Sequence, residues 1–292
     1  MLDSLRRAAK KYPVIRTVLW APIAAKAAYL RSRERPANQI ISWLETHVVG
    51  DVIVRLEEFD AEFYLPATSR LFQRAAKYGH YEPEWAAMFL SHVEAGSHVI
   101  DVGANVGFYA VAAAKKGARV LAIEPTTGAF ERLQKNVVHN RVADRVLAFN
   151  GLASDANAMA EMHVVEGLEE YSSMAPIYAP YIEGHQAQVT RVESRTIDSL
   201  VVEHGLSPRV IKVDVEGAEM QVFRGAAETL AAHRPVVMSE LSDKLLARFG
   251  NSGDEVVSLF RERGYDVLSA DGAPLVDRGD SFGEILCIPR SS

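Results

Sequence analysis

The sequence predicts an α/β domain built on a mostly parallel sheet, and three observations carry that expectation. From His98 onward, short apolar runs alternate with amphipathic stretches about ten to fifteen residues long, the rhythm of strands joined by crossover helices. The first of these runs leads into a glycine-rich turn, "DVGANVG", at a strand–helix junction. The 292 residues, 48% hydrophobic and 24% charged, can bury a full core in one large or two modest domains.

Ile40 to Val49 reads as a short helix, and Val52–Leu56 and Glu62–Leu65 as strands, the second ended by Pro66. In "GHYEPEWAAMFLSHVEAG", Pro83 stands near a helix start and Gly96 past its end. Trp85, Met88, Phe89 and Val93 share one face of that helix. His98–Asp101 is the first strand of the sheet, Phe108–Lys116 a helix stopped by Gly117, and Arg119–Glu124 the second strand. "GAFERLQKNVVHN" follows as a helix and Arg145–Asn150 as the third strand.

Between Ala153 and Val192 the rhythm breaks. "AEMHVVE" and "AQVTRVE" alternate like an antiparallel pair around the loop "GLEEYSSMAPIYAPYIEGH". "TIDSLVVEHG" resumes as helix, "RVIKVDVEG" as the fourth strand, "AEMQVFRGAAETLAAH" as one helix and "RPVVMSEL" as the fifth strand. "DEVVSLFRERG" is the last helix, and "YDVLSA" and "GEILCIP" form an antiparallel hairpin at the sheet edge. The expected organisation is an extension over 1–78, basic and helical with short strands, and an α/β domain over 79–292 with its insert at about 153–192.

The net charge of −6 argues against a chain that clings to nucleic acid. A single cysteine, Cys287, excludes a disulfide framework and a cysteine-based zinc cluster, and fits a reducing, cytoplasmic setting. Charge is uneven, however. Residues 1–35 hold nine Lys/Arg against Asp3 and Glu34, a net +7, which leaves −13 for the remainder. The apolar stretch Val18–Ala25 is broken by Pro22 and followed by Lys26, so it is too short to span a bilayer, and no clean cleavage pattern follows it. Two readings stand: a solvated amphipathic appendage, or a helix in peripheral contact with an anionic membrane near a lipid-linked substrate.

Gly103 and Gly107 sit where a buried strand turns into a helix, whose first amides lack partners. A dinucleotide fingerprint requires G-x-G-x-x-G. Counting from Gly103, the second and third glycine positions hold Asn105 and Phe108, and the Gly-Lys-Ser/Thr ending of a phosphate loop is missing. Glu124 ends the next strand, where its carboxylate can accept both ribose hydroxyls. A cofactor with a ribose and no pyrophosphate meets these constraints, and S-adenosylmethionine is such a molecule. The alternative is a tight structural turn with Glu124 capping the following helix.

The stretch from "YEPEWAAMFL" through "DVGANVGFYA" and "LAIEPTTGAF", with "VIKVDVEGAEMQVFRGA" and "PVVMSEL", resembles the FkbM family of S-adenosylmethionine-dependent methyltransferases. The likeness runs from about Gly79 to the C-terminus. It implies a class I, Rossmann-like methyltransferase fold and O-methylation of hydroxyls on sugars or polyketides. It also implies that Asp101 and the backbone of Gly103 and Gly107 hold the methionine end and the ribose edge. By the same likeness Asn105 fixes the loop or meets the carboxylate, Glu124 takes the ribose, and Asn150 or the backbone near Ala153 lies by the adenine. Glu82 borders the methionine pocket or, equally, caps a helix.

In "KVDVEGAE", Asp214 and Glu216 are two apart and would share one face of an extended strand. With Glu219 and Glu240, at the ends of neighbouring elements, they would converge on the reacting methyl. Alcohols are poor nucleophiles, so Asp214, Glu216 or Glu240 as a general base is worth ~10²–10⁴ in rate, and crowding raises carboxylate pKa values. The same oxygens could instead hold Mg²⁺ against a sugar diol, although no metal ligand set is assigned. A third use is capping of the helix N-terminus by Glu216 and Glu219. The insert would shape the acceptor pocket through Ser172, Ser173 and His185, with Tyr171, Tyr178 and Tyr181 offering aromatic faces or packing a lid. His80, His163 and His185 are further candidate bases.

The main expectation is thus an O-methyltransferase acting on a carbohydrate, glycolipid or polyketide-like acceptor. RNA methylation, a module that binds the cofactor without chemistry, and an NAD-dependent oxidoreductase are the alternatives.

Overall fold

The computed structural model describes residues 47, 48, 50–165, 172–175, 187–269, 272, 273, 275 and 283–290. Residues 1–35, and nearly all of the helix expected at 40–49, lie outside the described residues.

Two strands open the described chain, β1 (Asp51–Leu56) and β2 (Ala61–Pro66), paired antiparallel. Their residues alternate between buried and partly buried, as a half-buried hairpin requires. Helix α1 (Arg70–Tyr78) starts at Ser69, whose side chain accepts from the Phe72 amide at 3.1 Å, and ends at Gly79 with φ 79°. Helix α2 (Pro83–His92) carries its proline in the first turn.

The main sheet is assembled from β3 (His98–Val102), β4 (Arg119–Ile123), β5 (Val146–Phe149), β9 (Pro208–Val213), β10 (Val236–Leu241), β11 (Tyr265–Ser269) and β12 (Gly283–Pro289). Their order is β11-β12-β10-β9-β3-β4-β5. Only β12 runs against its neighbours, so the sheet is mostly parallel with the expected antiparallel C-terminal hairpin. The crossovers are α3 (Phe108–Lys115), α4 (Thr127–His139), α5 (Ile197–His204), α6 (Glu219–Arg224), α7 (Ala227–His233) and α9 (Gly253–Glu262), with a short α8 (Asp243–Leu246). The chain leaves β3 toward β4 and leaves β9 toward β10, so the strand order reverses between β3 and β9. That reversal opens a crevice at the strand ends.

Strands β3 and β4 are buried on both faces, and successive residues feed opposite cores. Val99 and Val120 join one core; Ile100 and Leu121 join the other. The first core also holds the β1–β2 hairpin, where Phe59 stacks on Phe108 at 5.4 Å and Phe63 meets the same ring edge-on at 4.7 Å. A division at residue 78/79 therefore passes through one continuous core. The outer edge of β2 is held by two asparagines, Asn136 in the last turn of α4 and Asn140 at its C-cap. Asn136 accepts from the Tyr64 amide at 2.7 Å, and Asn140 donates to the Glu62 carbonyl at 2.7 Å.

Two expectations change in detail. The helix read through "AEMQVFRGAAETLAAH" is two helices, α6 and α7, with Gly225 at the break, where the chain passes close to the loop at Ser154. A Cβ on Gly225 would stand 1.9 Å from the Ser154 carbonyl oxygen. In the insert, β7 (Ala158–Val165) and β8 (Ala187–Arg195) pair antiparallel as expected, and β6 (Leu152–Ala153) joins β8 in parallel. These three strands form a separate small sheet. Among the described residues, no helix is long and apolar enough to cross a membrane.

Candidate active site

The crevice holds a cavity of about 1050 Å³, lined by the glycine turn, the ends of β4, β9 and β10, and the insert. In the turn Gly103, Asn105 and Gly107 all have positive φ, at 73°, 49° and 91°. The Gly103 and Ala104 amides both donate to the Ile123 carbonyl at 3.0 Å, drawing the turn onto the end of β4. A Cβ on Gly103 would stand 1.8 Å from the Asp214 carbonyl oxygen, so this glycine lets the turn close on the end of β9. At Gly107 the obstacle is only the Leu133 side chain, at 2.5 Å.

Glu124 is 6% exposed and lines the cavity. Its carboxylate accepts from the Asn105 amide at 2.9 Å and from the Thr126 amide and hydroxyl at 2.8 and 2.6 Å. Burial pushes its pKa up, against the pull of those bonds. Asn105 thus meets Glu124 through its backbone. Asn150 does not line the cavity as expected; its side chain donates to the carbonyls of Glu124 at 2.9 Å and Pro125 at 3.3 Å, while Gly151, Leu152 and Ala153 form the wall.

Asp101 also departs from expectation. It is fully buried, does not line the cavity, and neither carboxylate oxygen has a partner in hydrogen-bond geometry. It sits opposite Lys212 in the β3–β9 register, with the ammonium 3.8 Å away. Burial pushes the Asp101 carboxyl up, and Lys212 opposes that shift. Lys212 does line the cavity and reaches the Asp214 carboxylate at 3.2 Å. Burial works against its charge, but Asp214, Asp101 and Glu82 hold its pKa up. The sequence signal for Lys212 was a charged residue inside the apolar run "VIKV".

Glu82 lines the cavity and stands at the N-cap of α2, where its carbonyl accepts from the Ala86 amide at 2.8 Å, but its side chain makes no capping bond; the carboxylate accepts from the Tyr109 hydroxyl at 3.1 Å and pairs with Arg74 at 3.5 Å. Tyr81, Tyr109, Arg70 and Arg74 also line the cavity, none of them among the site residues expected from the sequence. Tyr109 lay hidden in an Ala-rich helix, and the arginines in a segment read as an extension.

Asp214 and Glu216 do not share a strand face. β9 ends at Val213, and Glu216 sits in a turn with φ 55°. Both still line the cavity, together with Glu240 and Glu284. Burial, then the charges of Asp214, Glu240 and Glu219, push Glu216 up to about 8. Glu240 rises to about 7 through desolvation in the crevice and the nearby Asp214 and Glu82. Glu219 turns back on its own loop, accepting from the amides of Gly217 at 3.1 Å and Val215 at 3.4 Å, and burial lifts it to about 7. Among the described residues, no group of three or more His, Cys, Asp and Glu side chains could hold a metal ion.

Ser172 and Ser173 close the cavity from the insert side. Ser172 Oγ accepts from the Val165 amide at 3.3 Å, and Ser173 Oγ donates to the Glu216 carbonyl at 3.4 Å. His185, Tyr171, Tyr178 and Tyr181 lie outside the described residues. His163 and His80 do not line this cavity.

The sequence description of the methyltransferase FkbM domain matches residues 101–267, more than half of the chain. A hexuronic acid methyltransferase, AglP, from Haloferax volcanii is 27% identical over 161 residues, covering 54% of this chain and 61% of that protein. The AMB antimetabolite synthetase AmbE of Pseudomonas aeruginosa is 26% identical over 202 residues, covering 58% of this chain and 9% of that protein. The chain thus spans less than two thirds of the length of either curated relative. Among solved structures, a methyltransferase FkbM from Methylobacillus flagellatus is similar with a TM-score of 0.43 and 17% identity, over 66% of this chain and 43% of that one. A TehB-like methyltransferase from Corynebacterium glutamicum has a TM-score of 0.44 and 12% identity, over 76% and 95%.

Proposed function

The chain belongs to the FkbM methyltransferase family and is a methyltransferase of the α/β class I fold, and on that footing we propose that it moves the methyl group of S-adenosylmethionine to a hydroxyl of a carbohydrate acceptor. The observation that carries the proposal is a buried Glu124 fastened to the glycine turn, facing the same cavity as Asp214 and Glu216 just beyond β9 and Glu240 near the end of β10. A cavity of about 1050 Å³ has room for a cofactor and an acceptor together.

The cofactor supplies an electrophilic methyl on a sulfonium. Glu124 accepts the ribose hydroxyls. The positive sulfonium end suits the carboxylates of Glu82 and Asp214, which Lys212 keeps from overcharging the crevice. Glu240 and Glu216, titrating at about 7 and about 8, are matched to accept the acceptor's proton near neutral pH. Glu219, spent on its own loop, shapes the turn that presents Glu216. Ser172 and Ser173 would border the acceptor, and Arg70 and Arg74 could fork-bond an acidic sugar. The relative named for hexuronic acid makes such sugars the first acceptors to try.

Residues 1–35, with their +7 charge, are proposed as a peripheral membrane contact that brings the enzyme to a lipid-linked glycan. Flotation with anionic liposomes should carry the full chain and leave a chain lacking residues 1–35 behind; equal behaviour removes the contact.

The function is tested by transfer of labelled methyl from S-adenosylmethionine to a panel of uronic acid and neutral sugar glycosides. A labelled product that survives mild alkali is an ether, as proposed. Loss of the label in alkali marks an ester, placing the methyl on a carboxylate, and absence of label from every glycoside rejects the carbohydrate acceptor.

A further inference from the structure

Beside the cavity lies a groove of about 370 Å³ whose wall includes Tyr78, His80 and Trp85, from the end of α1 through the start of α2. Three residues, Arg74, Glu82 and Glu284, line both spaces, so the groove continues the cavity across a polar sill. The sill carries hydrogen-bonding groups in fixed places, since Arg74 pairs with Glu82 at 3.5 Å and Glu82 takes the Tyr109 hydroxyl. The groove itself is aromatic. The Tyr78 and His80 rings lie 6.2 Å apart at 31°, and Tyr78 is 55% exposed while Trp85 is 7% exposed. None of these three aromatics lines the main cavity or takes part in the chemistry described above.

Aromatic faces beside carboxylates and a guanidinium suit a sugar ring. Its C–H faces are apolar and its equatorial hydroxyls donate and accept. A volume of about 370 Å³ is at the low end of small-molecule sites and accommodates one ring rather than a chain. The location also matters. Glu240 of the main cavity is the cross-strand partner of the sill residue Glu284, so a ring in this groove is the neighbour of a ring placed for methylation.

We propose that the groove is a second sugar subsite, which holds the residue next to the one methylated and makes glycosides of two or more sugars the preferred acceptors. The subsite presupposes the carbohydrate reading above. No bond forms or breaks in it.

The experiment compares kcat/KM for methyl glucuronide with that for the same glucuronic acid linked to a second hexose. The wild-type chain should favour the disaccharide about tenfold, equivalent to about 1.4 kcal/mol. Tyr78→Ala, an exposed position, should abolish that ratio, Tyr78→Phe should keep it, and His80→Ala should reduce it. A wild type that favours neither acceptor, or a ratio that survives Tyr78→Ala, overturns the subsite while leaving the methyltransferase reading intact. A chain that methylates neither glycoside overturns the carbohydrate reading and the subsite with it.

Discussion

Replacing Gly103 by alanine should damage this protein far more than replacing Gly107, although both belong to the same turn. Both glycines have φ in the left-handed region, 73° and 91°, which costs an alanine about 1–2 kcal/mol. The contacts then differ in kind. The new Cβ at Gly103 would lie 1.8 Å from the Asp214 carbonyl oxygen, against an ordinary contact of 3.4–4 Å, and that oxygen is backbone at the end of a buried strand. Relief requires the turn to withdraw from β9, which strains the 2.9 Å bond from Asn105 to Glu124 and the 3.1 Å bond from Asp214 to Val102. Adding the loss of buried hydrogen bonds brings the total to about 3–5 kcal/mol. At Gly107 the methyl meets the Leu133 Cδ1 at 2.5 Å, which a rotamer change can relieve, so about 1–3 kcal/mol suffices. Urea denaturation measures the stabilities, and calorimetry with S-adenosylhomocysteine measures the site. Gly103→Ala should lose about 100-fold or more in affinity and Gly107→Ala about tenfold or less. A Gly103→Ala protein within about 1 kcal/mol of wild type and binding normally would refute this account of the turn.

Three further outcomes rest on the charged groups in and beside the crevice. Lys212→Met leaves Asp101 buried and uncompensated and should cost about 3–5 kcal/mol by chemical denaturation, with much of it regained in Lys212→Met/Asp101→Asn; no rescue in the double variant contradicts the pairing. Glu219 titrates at about 7 in the folded chain against an ordinary 4.5, so its contribution to stability is full below 4.5 and lost as pH rises through 7. Thermal melts should therefore show a higher Tm at pH 5 than at pH 8, and Glu219→Gln should flatten that difference. If Glu240 and Glu216 accept the proton, turnover should rise between pH 6 and 8, and Glu216→Gln together with Glu240→Gln should lower kcat by about 100-fold or more; a double variant with wild-type kcat excludes both as bases.

The strand rhythm was legible because buried parallel strands are apolar throughout, and the glycine turn because its positive φ angles leave a residue signature. Glu124 was legible because its place follows from the turn by topology. What sequence spacing missed was direction. Asp101 and Lys212 face each other only through the β3–β9 register, and the two positions lie more than a hundred residues apart. Counting in twos puts Asp214 and Glu216 on one strand face, a rule that stops applying where β9 ends at Val213. Asn150 followed the third strand as expected, yet the carbonyls of Glu124 and Pro125 engage its amide. Arg70, Arg74 and Tyr81 reach the cavity because α1, through Leu71, Phe72, Ala75 and Ala76, packs with the β1–β2 hairpin into the main core, which nothing in their local spacing announces.

The central claim is that this crevice holds S-adenosylmethionine through the glycine turn and Glu124. Isothermal titration of S-adenosylhomocysteine into wild type and Glu124→Ala tests it most directly, with NADH as the comparison ligand. The account predicts a single site in the wild type, at least tenfold weaker binding after Glu124→Ala, equivalent to about 1.4 kcal/mol or more, and no heat from NADH. Equal binding by the two proteins, or binding of NADH in place of S-adenosylhomocysteine, would contradict it.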